Sequence, residues 1–214
     1  MIFLQARNII KRLLVVVACL SLLSSPSVAA PVDDASKYIE SLGNSAIATL
    51  TDKQLDKETK TKKIEQLFRE NVDTAWIGRF VLGRFWRQIT DDQKVRYLRG
   101  YESFLVRNYA TRFTDYTSGS FKITDARAGS GNEFIISMQI KSEEAGGEPI
   151  LVDYRVRSDS RNRKNNFLVV DIIVEGVSMI TTQREEFTSI LTSKDMEYLI
   201  AQITKKIDST PNKS

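Results

Sequence analysis

The sequence predicts an α+β fold in which N-terminal and C-terminal helices pack on one face of a four-stranded antiparallel sheet. Apolar residues recur every three or four positions from 32 to 114 and again after 182, which is the period of an amphipathic helix. Between 120 and 174 apolar and polar residues alternate, which is the period of a strand. Helices on both sides of an unbroken run of strands indicate two layers around one core.

Four helices are predicted before the sheet. The first has an apolar stripe from Tyr38 to Leu50, and Thr51 with Gln54 forms a capping box for the second, Lys-rich helix. The third is a short apolar helix that begins at Ala75 and stops at Gly83. The fourth is the longest helix; it runs from Asp91 to about Phe113, and Thr90 and Gln93 cap it.

Four segments alternate with period two, and hairpin-like connections rich in glycine and polar residues join them. They are Phe121–Thr124, Phe134–Lys141, Val152–Arg157 and Phe167–Val174. Gly176 then breaks the last strand, and a capping box of Thr182 and Glu185 predicts a helix from Gln183 to Leu191. Asp195 to Ile207 forms the final helix. The apolar junction 177–180 belongs to neither element, so we expect it to be buried.

Residues 1–29 are expected to be a signal peptide. Lys11 and Arg12 precede an apolar run from Leu13 to Leu23, which is too short to span a membrane. Cleavage after Ala29 is favoured, because Pro31 would directly follow a cut after the next alanine. Cys19 loosely fits a lipoprotein site, but the apolar run continues past it. The remaining chain is interpreted as a single domain, 30–207, with a polar tail, 208–214.

Removal of the signal peptide lowers the net positive charge of the chain. The whole chain has 31 Lys and Arg against 27 Asp and Glu, and three of the basic residues precede residue 30. The exported chain therefore carries a net charge near +1, which is no indication of nucleic-acid binding. Its lone cysteine also leaves with the signal, so its stability must come from packing without disulfides.

The exported chain has no histidine and no cysteine, which removes the commonest general base, the thiol nucleophile and the usual zinc ligands. Ser178 lacks the second glycine of a hydrolase nucleophile elbow. Asp153 and Asp171 fall on the solvent face by alternation, where they would pair with Arg155 and Arg157. The sequence therefore predicts no catalytic residue, no metal site and no enzyme.

Three stretches resemble a known family. Val174 to Thr182, Val-Glu-Gly-Val-Ser-Met-Ile-Thr-Thr, is similar to the signature segment of MlaC, the periplasmic phospholipid-binding or toluene-tolerance family. Phe80 to Trp86 resembles that family's Val-Leu-Gly followed by an aromatic pair. The helix that begins at Thr90 is similar to the one that follows there. The resemblance covers essentially the whole exported chain, in order.

The resemblance implies a soluble carrier that moves phospholipid between the membranes of a Gram-negative envelope and maintains outer-membrane lipid asymmetry. The implied location is the periplasm, and the implied cargo is phospholipid, with no cofactor. The implied partners are an outer-membrane lipoprotein complex of the MlaA type and an inner-membrane transporter with an MlaD-type substrate-binding hexamer. The family fold, helices on a four-stranded antiparallel sheet with acyl chains between them, agrees with the layout derived from periodicity.

With that resemblance, the apolar faces predict a slot for acyl chains, and the head group would stay near solvent without a dedicated charge partner. The predicted lipid-binding residues are Leu82, Phe85, Tyr101, Leu105, Phe134, Ile136, Met138, Val152, Tyr154, Val170, Ile172, Val177 and Met179. Periodicity alone does not distinguish a slot from a filled core. An envelope adaptor with a solid core, and a hydrolase or isomerase on a related scaffold, therefore remain alternatives.

Overall fold

The computed structural model describes residues 29–110, 120–141, 148–159 and 166–209. The helices are α1 (Ala29–Thr51), α2 (Lys57–Asn71), α3 (Thr74–Leu82), a 3-10 segment (Gly83–Arg87), α4 (Asp91–Leu105), a π-helical segment (Val106–Ala110), α5 (Met179–Ser193) and α6 (Met196–Ser209). The strands are β1 (Ser120–Ala128), β2 (Glu133–Lys141), β3 (Ile150–Ser158), β4 (Phe167–Val174) and β5 (Val177–Ser178). The chain divides into two compact units, Met1–Pro31 and Val32–Ser214, and all contacts below belong to the second.

The strands form one antiparallel sheet in the order β1-β2-β3-β4-β5. The predicted α+β arrangement with four main strands is confirmed, and the two-residue β5 adds a short fifth strand. The tight turn before β5 places Glu175 at φ 49° and Gly176 at φ 80°. Glycine has no Cβ to clash at positive φ, so its expected role as the strand breaker is confirmed.

A bulge in β4 changes which side chains reach the apolar face of the sheet. Arg155 pairs with Asp171 and Val156 pairs with Val169, so Val170 is an extra residue between two pairs. Because of this insertion, Val169 and Ile172 join the same apolar cluster, although strict alternation would put them on opposite faces.

One predicted helix start is confirmed and two are wrong, because another capping residue nearby is used at each of those two. The Thr90–Gln93 capping box is present at the start of α4. By contrast, α2 is capped by Asp56, which accepts the amide of Thr59 at 2.7 Å, and not by Thr51. Similarly, α5 begins at Met179 with Ser178 as its cap, four residues before the predicted start.

The longest helix is also different from the prediction. Helix α4 ends at Leu105 and continues as the π-helical segment to Ala110, and residues 111–113 of the predicted helix lie outside the described residues. Helix α1, with 23 residues, is longer. None of the described helices combines the length and apolarity needed to cross a membrane.

The apolar side chains form three clusters. The helical cluster joins α3, α4, α5 and α6 around the stacked rings of Tyr97 and Tyr101, whose centroids are 5.4 Å apart. The sheet cluster places Ala35 and Ile39 of α1 on the apolar face of the sheet. A third, smaller cluster joins α1, α2 and the π-helical segment through its buried residues Leu50, Ile64 and Val106.

Candidate functional site

A cavity of about 270 Å³ lies where the three clusters meet. Helices and the segments next to them contribute Ile39, Leu42, Gly43, Ala46, Leu50, Ile64, Leu67, Phe68, Asn71, Val72, Ile77, Leu105, Tyr109, Met179, Ile180 and Gln183. The sheet contributes Met138, Tyr154, Val169, Asp171, Ile172 and Val174. Its walls are therefore largely aliphatic and aromatic, which is typical of a site for an apolar ligand.

Helix α1 forms one wall, and its small residues explain how close it lies to the sheet. Ile39, Leu42, Gly43 and Ala46 follow the spacing of one helix face. A Cβ atom added at Gly43 would lie only 2.8 Å from the ring of Phe121, so glycine permits the close approach. Ala46, also on this face, projects only a methyl group and leaves space in the interior.

The two side-chain amides of the wall, Asn71 and Gln183, are paired with neighbouring tyrosines. Asn71 accepts a hydrogen bond from the Tyr38 hydroxyl at 3.1 Å. Gln183 accepts from the hydroxyl of Tyr101 and donates to the hydroxyl of Tyr109 at 3.2 Å. Because these hydrogen bonds occupy the amides, they add little polarity to the cavity itself.

Asp171 is a buried carboxylate in the wall, with 3% of its surface exposed. It accepts hydrogen bonds from the Ser178 hydroxyl at 2.7 Å and from the Ile180 amide at 3.3 Å, and Arg155 lies 3.9 Å away. Asp171 lies opposite Arg155 as alternation predicts, but the expectation that it is solvated is wrong, because the start of α5 covers it. Its oxygens hold the first turn of α5 against the sheet.

Burial raises the pKa of several tyrosine hydroxyls around the cavity. Desolvation raises the pKa of Tyr154 to about 12 and also raises the pKa values of Tyr38, Tyr97 and Tyr101. All four side chains are therefore neutral at physiological pH and act only through hydrogen bonds and ring contacts.

Five of the thirteen predicted lipid-binding residues line the cavity. They are Leu105, Met138, Tyr154, Ile172 and Met179. They come from α4, β2, β3, β4 and α5, so the structure brings together side chains that are far apart in the sequence.

The other predicted residues on the sheet lie away from the cavity. Phe134 and Ile136 are buried in the sheet cluster with Ala35 and Ile39 of α1. Val152 is buried without lining the cavity, and Val170 is the extra residue of the bulge. The apolar face of the sheet is therefore larger than the cavity that it bounds.

The predicted helical and junction residues outside the cavity have other environments. Leu82 and Tyr101 are fully buried in the helical cluster. Phe85 lies in the 3-10 segment, with the guanidinium of Arg84 4.9 Å from its ring centroid. Val177 is 53% exposed, so the expectation of a fully buried junction is wrong at that position, although Ile180 is buried.

Sequence reasoning missed most of the wall that α1 and α2 supply. The lysines of α2 indicate a solvated face. On the other face, however, Ile64 is buried and Leu67 and Phe68 pack beside it. The signal that could have identified this wall is the pair of small residues, Gly43 and Ala46, within an otherwise bulky apolar stripe of α1. Within the described ranges, no group of three or more His, Cys, Asp or Glu could hold a metal ion.

The fold and the cavity together define a class: a helix-on-sheet protein that keeps an apolar cavity between its layers. Residues 40–205 match the family model described as MlaC protein. This match extends over most of the chain, and the chain belongs to the MlaC family.

Proteins similar to this chain include a transport-system binding protein and a phospholipid-binding protein of solved structure. The intermembrane phospholipid transport system binding protein MlaC of Haemophilus influenzae is 23% identical over 133 residues, which are 62% of this chain and 61% of that protein. A phospholipid-binding protein from Ralstonia solanacearum, solved in complex with a phospholipid, matches with a TM-score of 0.69 at 21% identity. That match covers 82% of this chain and 97% of the solved chain, and at this identity it shows a shared fold.

Proposed function

We propose that this protein is a periplasmic carrier that moves phospholipid between the outer and inner membranes by burying acyl chains in its cavity. The observation that carries the proposal is the apolar cavity between three clusters that could otherwise have merged into one core. Membership of the MlaC family and the names of the two similar proteins support phospholipid as the cargo.

The energetics explain why such a carrier needs an aliphatic cavity. Transfer of an acyl chain from a membrane to water costs about 0.8 kcal/mol per methylene, or on the order of 10 kcal/mol per chain. The carrier must offset nearly all of this free energy, since otherwise the lipid stays in the membrane. The free energy of binding must not exceed this transfer cost by much, since otherwise the lipid is not released.

The proposed route also includes export and handover. Residues 1–29 act as a cleaved signal peptide, residues 30–207 form the lipid-binding domain, and residues 208–214 are a polar tail. The carrier receives and delivers phospholipid at an MlaA-type outer-membrane lipoprotein complex and an MlaD-type hexamer of an inner-membrane transporter. No catalytic role is part of this proposal, which the hydrogen bonds that already hold the Asp171 carboxylate to Ser178 and Ile180 support.

A cavity-filling substitution tests the proposal. Ala46 lines the cavity, whereas Ala48 of the same helix is exposed, so Ala46→Trp and Ala48→Trp form a matched pair. Purified protein is incubated with liposomes, and bound phospholipid is counted by native mass spectrometry. Displacing about two methylenes costs roughly 1.6 kcal/mol, so Ala46→Trp should lower binding about tenfold.

Ala48→Trp should retain the binding of the wild-type protein. Equal uptake by the two variants would mean that phospholipid does not occupy this cavity. A wild-type protein that takes up no phospholipid from any liposome would overturn the carrier proposal and favour an envelope adaptor.

A further inference from the structure

Tyr154 is the unusual polar residue of the cavity wall. It lies in the middle of β3, and its cross-strand neighbours are Ile136 and Ile172. It lines the cavity, yet its hydroxyl makes no hydrogen bond to a residue in the described ranges, and its raised pKa reflects desolvation alone.

The other deeply placed tyrosines behave differently. The Tyr97 hydroxyl donates to the Gly78 carbonyl at 3.0 Å, the Tyr101 hydroxyl donates to Gln183, and the Tyr38 hydroxyl donates to Asn71. A desolvated hydroxyl without an acceptor is unfavourable, and native proteins almost always provide one. The two cross-strand neighbours of Tyr154 are isoleucines, whose side chains offer no acceptor.

The composition of the wall indicates the kind of acceptor. Among the described residues that line the cavity there is neither lysine nor arginine, whereas Asp171 contributes a carboxylate. A phosphate would therefore meet no counter-charge there. An uncharged acceptor oxygen fits this environment, at the point where the acyl chain of a lipid joins the polar part of the molecule. The carbonyl oxygen of a carboxylic ester is such an acceptor.

We infer that Tyr154 donates a hydrogen bond to an ester carbonyl of the bound lipid, so that the cavity favours ester-linked over ether-linked glycerophospholipids. This inference rests on the proposed carrier function. It adds a positioning group to a cavity that otherwise holds chains through apolar contacts without chemical selectivity.

The test uses two phosphatidylcholines with the same head group and two hexadecyl-length chains, one with ester linkages and one with ether linkages. The protein is incubated with vesicles that contain equal amounts of both, and native mass spectrometry gives the ratio of bound species. Wild-type protein should favour the ester lipid about three- to tenfold, and Tyr154→Phe should reduce this preference to about one.

Tyr97→Phe is the matched control, because it removes a buried hydroxyl that does not line the cavity. It should lower stability through the lost bond to Gly78 and leave the lipid ratio unchanged. Tyr154→Phe should unfold at the same urea concentration as lipid-free wild-type protein, since the hydroxyl has no hydrogen-bond partner in the described part of the chain.

An unchanged ratio in Tyr154→Phe, or a wild-type protein that binds both lipids equally, would overturn the inference and leave the carrier function intact. Absence of uptake of either lipid would overturn the carrier function itself. The infrared band of the ester carbonyl gives a second measurement on wild-type protein alone. It should shift to the lower frequency of a hydrogen-bonded ester, and a band at the frequency of an unbonded ester would contradict the inference.

Discussion

Asp171 connects three parts of the molecule through one side chain. Its carboxylate holds Ser178 and the Ile180 amide at the start of α5, and it lies beside Arg155 of β3. The register of β4 with β3 places it opposite Arg155. A buried carboxylate is stable only with such partners, so its contribution is to position α5 against the cavity.

Replacement of Asp171 by asparagine should lower the free energy of unfolding by about 1–3 kcal/mol, because the amide is a weaker acceptor and removes one of the two carboxylates that lie near Arg155. Urea unfolding of the lipid-free protein measures this change. Asp153→Asn in the adjacent strand is the control and should change stability by less than about 0.5 kcal/mol, since this half-buried residue has no ion pair with a described residue. Equal effects would contradict the structural role of Asp171.

Helices α4 and α6 are joined by packing and by a surface network. The buried side chains of Tyr97, Leu199 and Ile203 belong to the same helical cluster. Above them, the Arg96 guanidinium binds the Glu197 carboxylate with distances of 2.6 and 2.8 Å, and the Gln93 amide donates to it at 3.0 Å. These hydrogen bonds, with Arg96 as the main cause, lower the pKa of Glu197 to about 2.

The stabilisation from Glu197 should therefore depend on pH. Its pKa is lower in the folded protein than in the unfolded chain, so its contribution is complete above about pH 4.5 and disappears as the pH falls towards 2. Glu197→Gln should unfold at a lower temperature than wild-type protein at pH 6, and this difference should vanish near pH 2. Glu185→Gln, at an exposed position of α5, is the control. A difference between Glu197→Gln and wild type that is independent of pH would contradict this prediction.

On the scale of the whole molecule, the chain maintains an internal space at the expense of packing. Three apolar clusters surround a cavity of about 270 Å³, although close contact among them would bury more surface. An empty apolar cavity lowers stability, because its lining atoms lack dispersion contacts. An acyl chain that fills the cavity would restore those contacts.

Phospholipid loading should therefore stabilise the protein. A ligand at a hundred times its dissociation constant adds about 2.7 kcal/mol, which for a domain of this size raises the melting temperature by about 5–10 °C. Scanning calorimetry of delipidated and reloaded protein measures the shift. Ala46→Trp should show a much smaller shift, because part of the cavity is already filled. Identical melting temperatures before and after loading would show that the cargo does not bind the folded protein at this site.

Parts of the fold and site follow from local signals. The period of two in β2 and the capping box at Thr90 were sufficient to predict an element type and a helix start. Met138 and Ile172 could be predicted as wall residues because alternation assigns their face. The burial of Asp171 could not be predicted in this way, since alternation assigns it to the face of Arg155 but no short-range pattern marks the contact with α5 that covers it.

By itself, the sequence determined the α+β class, the order of helices and strands, and the family, because periodicity, capping residues and the segment from Val174 to Thr182 are local properties. The tertiary structure alone decided where the cavity lies and that α1 and α2 supply much of its wall. A periodic pattern specifies which face of an element is apolar, but not how far that face lies from the next one. That distance depends on long-range contacts, such as the close approach of Gly43 to Phe121.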